Sequence, residues 1–292
     1  MREDLREIWK YRELLAMFVQ RDLKVRYKNS ILGFGWSLAN PLMQVAVLTF
    51  MLMYVMTPAD RTQNFSAYVF CATVPWLFFS TALMDSTNCL LAYYNLIRKT
   101  YFPREIIPLA CVAGNLIHFG LSTAVLLLYL AGLSIFHWVT TGQFDWPILP
   151  TVVLIPLPML GLTLLVTGLS MFISVWTLYF EDVRYIVDSG LKILYWLVPV
   201  LYFADAIVRR APHGLGIQAY TLYMLNPVAG FITSFQKLIL PPTKMATTNL
   251  VTPPMGSNEW LFLAIAMVTS SLVFAAGLRF FNRRKWYLAE RG

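Results

Sequence analysis

The residue types that do chemistry are present in this chain, but not at the spacings catalysis needs. His118, His137 and His213 lie far apart, with no HExxH pattern and no carboxylate partner close in sequence. Gly33-Phe34-Gly35 lacks the third glycine of a dinucleotide fingerprint. No GxxxxGK[ST] occurs, so the chain has no loop to cradle nucleotide phosphates. If ATP drives work here, a second polypeptide must bind it. Cys71, Cys89 and Cys111 fall in or beside apolar stretches without a CxxC pair, and read as small packing residues rather than metal ligands or disulfides. No catalytic residue, metal ligand or cofactor is assigned to the chain.

What the spacings do support is recognition by charge and by aromatic rings. Leu5, Ile8, Trp9, Leu15, Phe18, Val19 and Leu23 recur three or four apart and share one helical face in a basic segment, residues 1–31. With only lipid-soluble chain after it, this helix is expected at the headgroup boundary. Its apolar face would dip into the acyl region, with Lys24, Arg26 and Lys28 toward anionic lipid. A second cluster, Arg98, Lys99, Tyr101, Phe102, Pro103, Arg104 and Glu105, mixes charge with aromatics. Pro103 stands at a plausible helix start and Pro108 at the next apolar stretch. A short rigid helix of that composition is a docking knob for a partner; an ordinary basic loop has the same composition. Glu181, Asp182 and Arg184 either meet a partner or pair with one another. Asp85 is the charge clearly inside an apolar span. It reads as a satisfied polar residue of a bundle interior in preference to the lining of a vestibule. Trp36, Trp76, Phe78, Phe79, Trp176 and Trp196 suit interfacial belts. Some would equally suit the wall of a sugar conduit, since a ring buries the apolar face of a pyranose.

The elements that must position these groups are membrane helices. Hydrophobic residues make up 58% of the 292 and charged ones 13%, against about 25% charged in a soluble domain. The class is an all-α polytopic membrane protein. The net charge of +8 sits in loops flanking apolar segments, the pattern of membrane orientation and not of a nucleic-acid face. No cleavable signal peptide is visible, because the first apolar stretch is too long for an h-region. Stretches of roughly 20 apolar residues give six spans: 32–56, 66–91, 109–136, 152–178, 185–203 and 260–280. Most Lys and Arg then fall on the side of the N-terminus, which places both termini in the cytoplasm. Within the external region 205–259, Asn226-Pro227 interrupts the apolar stretch 215–240. A seventh span would put Arg283-Arg284-Lys285 outside, so a broken re-entrant helix pair is preferred to a plain external helix. Pro41, Pro75, Pro156, Pro158 and Pro199 are expected to kink spans. The scarcity of buried charge argues against ion-coupled transport.

The run from Arg21 to Trp36 (RDLKVRYKNSILGFGW), then Asn40-Pro41, Pro75-Trp76-Leu77-Phe78-Phe79, Tyr101-Phe102-Pro103-Arg104 and Asn226-Pro227, resembles in this order the permease subunit of ABC-2-type polysaccharide exporters. Those proteins carry O-antigen, capsule or teichoic-acid chains. The resemblance implies a homodimer of six-span subunits (32–292) in the cytoplasmic (inner) membrane, each entered from the interfacial helix within 1–31. Two copies of a separate ATPase would hold ATP and Mg. It makes 96–108 the coupling helix seated in the ATPase, with Glu181, Asp182 and Arg184 as a nearby contact. It puts Arg21, Lys24, Arg26 and Lys28 at the entrance for a lipid pyrophosphate, and Trp36, Trp76 and Phe79 along the channel. Asn226, Pro227 and Phe231 fall in the external gate helices. The stretch 241–257 matches no feature of the family. The expected function is export of a lipid-linked polysaccharide. The alternatives are an ABC-2 permease for a drug or small lipid, and an integral-membrane glycan polymerase or ligase, for which 205–259 offers Asp205, His213 and Glu259 beside its Arg and Lys.

Overall fold

Apolar stretches long enough to leave water become helices, since a backbone in hydrocarbon must satisfy its own hydrogen bonds. The computed structural model describes residues 9–28, 35–51, 65–100, 102–142, 148–205, 207, 216–242 and 255–284. Among these it is all helical. In chain order the elements are α1 (Arg12–Tyr27), α2 (Gly35–Phe50), α3 (Phe65–Ala92), α4 (Tyr94–Lys99), α5 (Ile106–Thr141), a 3-10 turn (Pro150–Leu154), α6 (Pro156–Tyr179), α7 (Val183–Leu197), α8 (Gly216–Met224), α9 (Pro227–Ile239) and α10 (Ser257–Arg284). Among the described residues four helices, α3, α5, the Pro150–Tyr179 helix and α10, are long and apolar enough to cross a membrane. This is a multi-pass membrane protein.

α3 is the central helix, with buried residues along its length from Phe65 to Leu90, whereas α5 turns Leu128, Ile135, Phe136 and Val139 outward. α6 and α10 pack backbone to backbone. A Cβ on Gly168 would lie 2.7 Å from Val273 O and Phe274 N, and one on Gly277 would overlap the Gly168 carbonyl. Small residues permit this approach, and in lipid such packing is a main source of helix association. α9 is buried on nearly every side and joins α3, α5 and α6 in the main core around Phe70, Phe78, Phe119 and Phe235.

Several expectations are corrected. Only part of the α1 apolar face is available to lipid. Phe18 and Val19 are buried in a second protein core with Leu90, Tyr93, Phe102, Ile106 and Phe281, and Leu15 and Leu23 pack against it. The expected fifth span, 185–203, is a helix of 15 residues, about 22 Å long against a hydrocarbon core of about 30 Å. It stops because Pro199 disfavours helical backbone at the residue before it, and Val198 is extended at ψ 154°. Pro156 and Pro158 do not kink a span; they occupy the first turn of α6, where a missing N–H costs nothing. Of the coupling helix expected over 96–108 with a start at Pro103, the part before Pro103 is α4, and no helix starts at Pro103; Pro108 lies in the first turn of α5. Of the expected first span, 32–56, the described part is α2 and Met51, with Pro41 inside the helix. The break expected at Asn226-Pro227 is present, and it splits the segment 215–240 into α8 and α9.

Candidate functional site

Three polar constellations and one cleft emerge from this packing. The first fastens α1 to the bundle through residues one turn apart, Phe18, Asp22 and Arg26. The Phe18 ring meets Tyr93 at 4.8 Å and Phe102 at 5.7 Å. The Tyr93 hydroxyl donates to Asp22 Oδ1 at 2.5 Å, and the Arg21 guanidinium lies 4.4 Å from the Tyr93 ring centre. Burial, reinforced by the Asp22 carboxylate, raises the Tyr93 pKa and keeps its proton in place. Arg26 forms an ion pair with Asp85 and donates to Asn115 Oδ1 at 3.3 Å. The Asn115 amide donates to Asp85 Oδ2 at 2.9 Å and to Cys111 O at 3.0 Å. Asp85 is therefore a satisfied polar residue, and it also borders a cavity of about 310 Å³ between α1, α3 and α5. Arg21, Lys24 and Lys28 line an open groove of about 360 Å³ on the other side of α1. Of the four predicted cations, Arg26 is ion-paired within the inner network, Arg21 touches it through the Tyr93 ring while also lining the groove, and Lys24 and Lys28 line the groove.

The cleft, of about 430 Å³, lies between α2, α3 and α7. Its walls are Trp76, Tyr195 and Trp196, with ring centres 5.5 Å apart for Trp76–Tyr195 and 5.8 Å for Tyr195–Trp196. Gln44, Ser80, Thr81, Asp85, Asp188 and Lys192 supply its polar lining. Trp76 is thus placed at the cleft, and Phe79 is buried 5.8 Å behind it. Trp36 is exposed at the start of α2 and does not line the cleft. Phe231 is a core residue: its ring fills the space a Cβ on Gly161 would take. Asp188, Lys192 and Tyr195 were missed by the sequence reading, although their spacing of four and three put them on one face of a recognised helix.

At the opposite end of the bundle, Asn226 Oδ1 accepts from Val228 N at 3.1 Å and caps α9, with Pro227 at its first position. Lys237, in the last turn of α9, reaches Asp205 Oδ1 at 3.0 Å and Glu259 Oε1 at 2.9 Å. Glu259 Oε2 accepts from Gly256 N at 3.0 Å, which anchors the start of α10. Gln236 Nε2 donates to the carbonyls of Tyr68 and Pro199 at 3.4 Å. Apart from the break at Asn226-Pro227, none of this is signalled by a motif.

The docking knob is rearranged. Phe102 and Pro103 are buried, Phe102 against α1, Glu105 is 2% exposed and Arg104 is half-buried. Lys99 is exposed at the end of α4. Tyr101 and the Arg98 side chain lie outside the described residues. Glu181, Asp182 and Arg184 are exposed at the start of α7, where the acids suit the helix dipole, and no ion pair among them is seen in the described residues.

No family model matches the chain. Curated relatives do. Two from Klebsiella pneumoniae, both "O-antigen export system permease protein RfbA", are 28% and 27% identical over 278 residues, spanning 95% of this chain and 94% of each relative. A protein of the same name from Myxococcus xanthus is 30% identical over 284 residues, 96% of either chain. A likeness of that degree, running over 96% of either chain, means that the chain belongs to the O-antigen export system permeases.

Proposed function

We propose that this chain is the channel-forming transmembrane subunit of an ATP-driven exporter of a lipid-linked polysaccharide. The full-length likeness to permeases named for O-antigen export carries this reading. In it the protein sits in the cytoplasmic membrane as a homodimer of six-span subunits, with both termini in the cytoplasm. α2, and α7 with the extended chain after it, complete the count of spans. Two copies of a separate ATPase hold ATP and Mg and seat on α4 and the half-buried Arg104, with Glu181, Asp182 and Arg184 nearby. The second core supports this placement, since it joins α4 and Phe102 to α1 and to the ends of α3, α6 and α10. A push there would reach the spans through packed side chains. Arg21, Lys24 and Lys28 face outward and form the surface for a lipid diphosphate; the glycan then passes the rings of the cleft. α8 and α9 form the external gate region, with α9 as its buried half. A polymerase or ligase is disfavoured because Asp205 and Glu259, two of the candidate external acids, are both engaged by Lys237.

The test is purification of the chain together with a candidate ATPase from the same organism, reconstitution, and parallel assay of ATP hydrolysis and glycan export. Arg104→Glu is expected to leave hydrolysis measurable while export falls at least tenfold. Nucleotide hydrolysis or uphill transport by the isolated chain would refute the assignment.

A further inference from the structure

The exporter reading leaves the chemistry of the glycan open, and the cleft narrows it. Its polar lining holds neutral donors, the Gln44 amide and the Tyr195 hydroxyl, but two carboxylates to one cation. The Ser80 hydroxyl donates to Trp76 O at 3.0 Å and the Thr81 hydroxyl to Leu77 O at 2.6 Å. Both protons are spent on backbone, so both oxygens face outward as acceptors. Asp85 and Asp188 are acceptor-only carboxylates, and their side chains keep 37% and 41% of their surface open. Lys192 is the only cation lining the cleft among the described residues. It is 74% exposed at the rim, and Asp188 holds its ammonium at 2.6 Å. Arg26 approaches Asp85 from the α1 side and does not line the cleft.

Resting on that exporter reading, we infer that the cleft binds uncharged pyranose units and discriminates against uronate- or phosphate-bearing ones. A neutral hexose brings several hydroxyl donors to these acceptors and lays its C–H face on Trp76, Tyr195 or Trp196. An anionic unit brings further acceptors and a negative charge toward two carboxylates, with no uncommitted cation to receive it. The lining thus sets a charge filter on the chain that passes.

The test is calorimetric titration of the reconstituted permease–ATPase complex with a neutral oligohexose and with an oligouronate of equal length. The neutral chain is expected to bind tighter by a factor on the order of ten, the factor for one like-charge approach in a half-solvated site. Asp188→Asn releases Lys192 and is expected to shift the affinity ratio toward the oligouronate by about threefold or more. Trp196→Ala is expected to weaken binding of the neutral chain. Equal or tighter binding of the oligouronate by the native complex, or an unchanged ratio in Asp188→Asn, overturns the inference. Binding of neither sugar overturns it too, yet spares the exporter reading. That reading falls separately, if export of the cell's lipid-linked glycan survives deletion of the chain.

Discussion

Replacing Lys237 by Met tests whether the far end of the bundle is held by charge. The Lys237 side chain is 9% exposed and those of Asp205 and Glu259 are 18% and 12% exposed, so water does little to screen them. Met fills the volume but leaves Asp205 and Glu259 facing each other without a cation. Stranding buried charge by deleting one partner costs about 3–5 kcal/mol; two acids compete for the one cation here, and the lower end, about 3 kcal/mol, applies. At roughly 2–4 °C per kcal/mol for a chain of this order of size, the melting temperature should fall by about 6 °C or more. Glu259→Gln keeps the Lys237–Asp205 pair and should cost about 1–2 kcal/mol. The decisive variant combines Lys237→Met with Asp205→Asn and Glu259→Gln, because replacing a whole buried ion set is far milder than breaking it. It should recover at least half of the lost stability. Thermal unfolding in detergent, followed by intrinsic fluorescence, reads all three. If Lys237→Met melts within about 2 °C of the native protein, or the triple variant is no better than the single, the carboxylates are not desolvated as described.

Gly168→Ala should force α6 and α10 apart by several tenths of an ångström, since its Cβ would sit 2.7 Å from α10 backbone. The expected cost is about 1–3 kcal/mol in thermal unfolding, whereas Gly132→Ala, with nothing within 4 Å, should be neutral or slightly stabilising. Arg26→Gln and Asp85→Asn should each loosen α1, seen as faster tryptic cleavage. Their double variant should show a coupling of about 1 kcal/mol in an unfolding cycle, a half-exposed pair being discounted for solvent. Asn226→Ala removes the cap of α9 and should cost about 1 kcal/mol in the same unfolding assay.

The long spans were legible because hydropathy over twenty residues is a strong signal: 66–91 was expected and Phe65–Ala92 is found, 260–280 was expected and Ser257–Arg284 is found. The break before α9 was legible because Asn-Pro states both a cap and a first helical position. The cleft was not, because it is closed by α7 against α2 and α3, which lie far from it in sequence, and of its ring walls only Trp76 was placed along a channel, by resemblance. Nor was the Lys237 triad, whose members are joined by packing and by no local spacing.

The instructive case is α1. An apolar period says that a helix face is covered, but lipid and protein give the same period. The discriminating sign lay on the face itself, which carries Asp22 and Arg26 one turn apart, directly after Phe18. A face dipped into acyl chains would strand both charges, whereas a face against protein can pair them, and here Asp22 meets Tyr93 and Arg26 meets Asp85. The basic cluster therefore divides into two kinds of residue. Reversing Lys24 or Lys28, which are exposed on the outer side, changes what an anionic headgroup meets and leaves the mounting of α1 intact. Reversing Arg26 sets two carboxylates against each other beside the buried Asn115 amide, and its loss of export would report on the mounting of the helix and not on recognition of lipid.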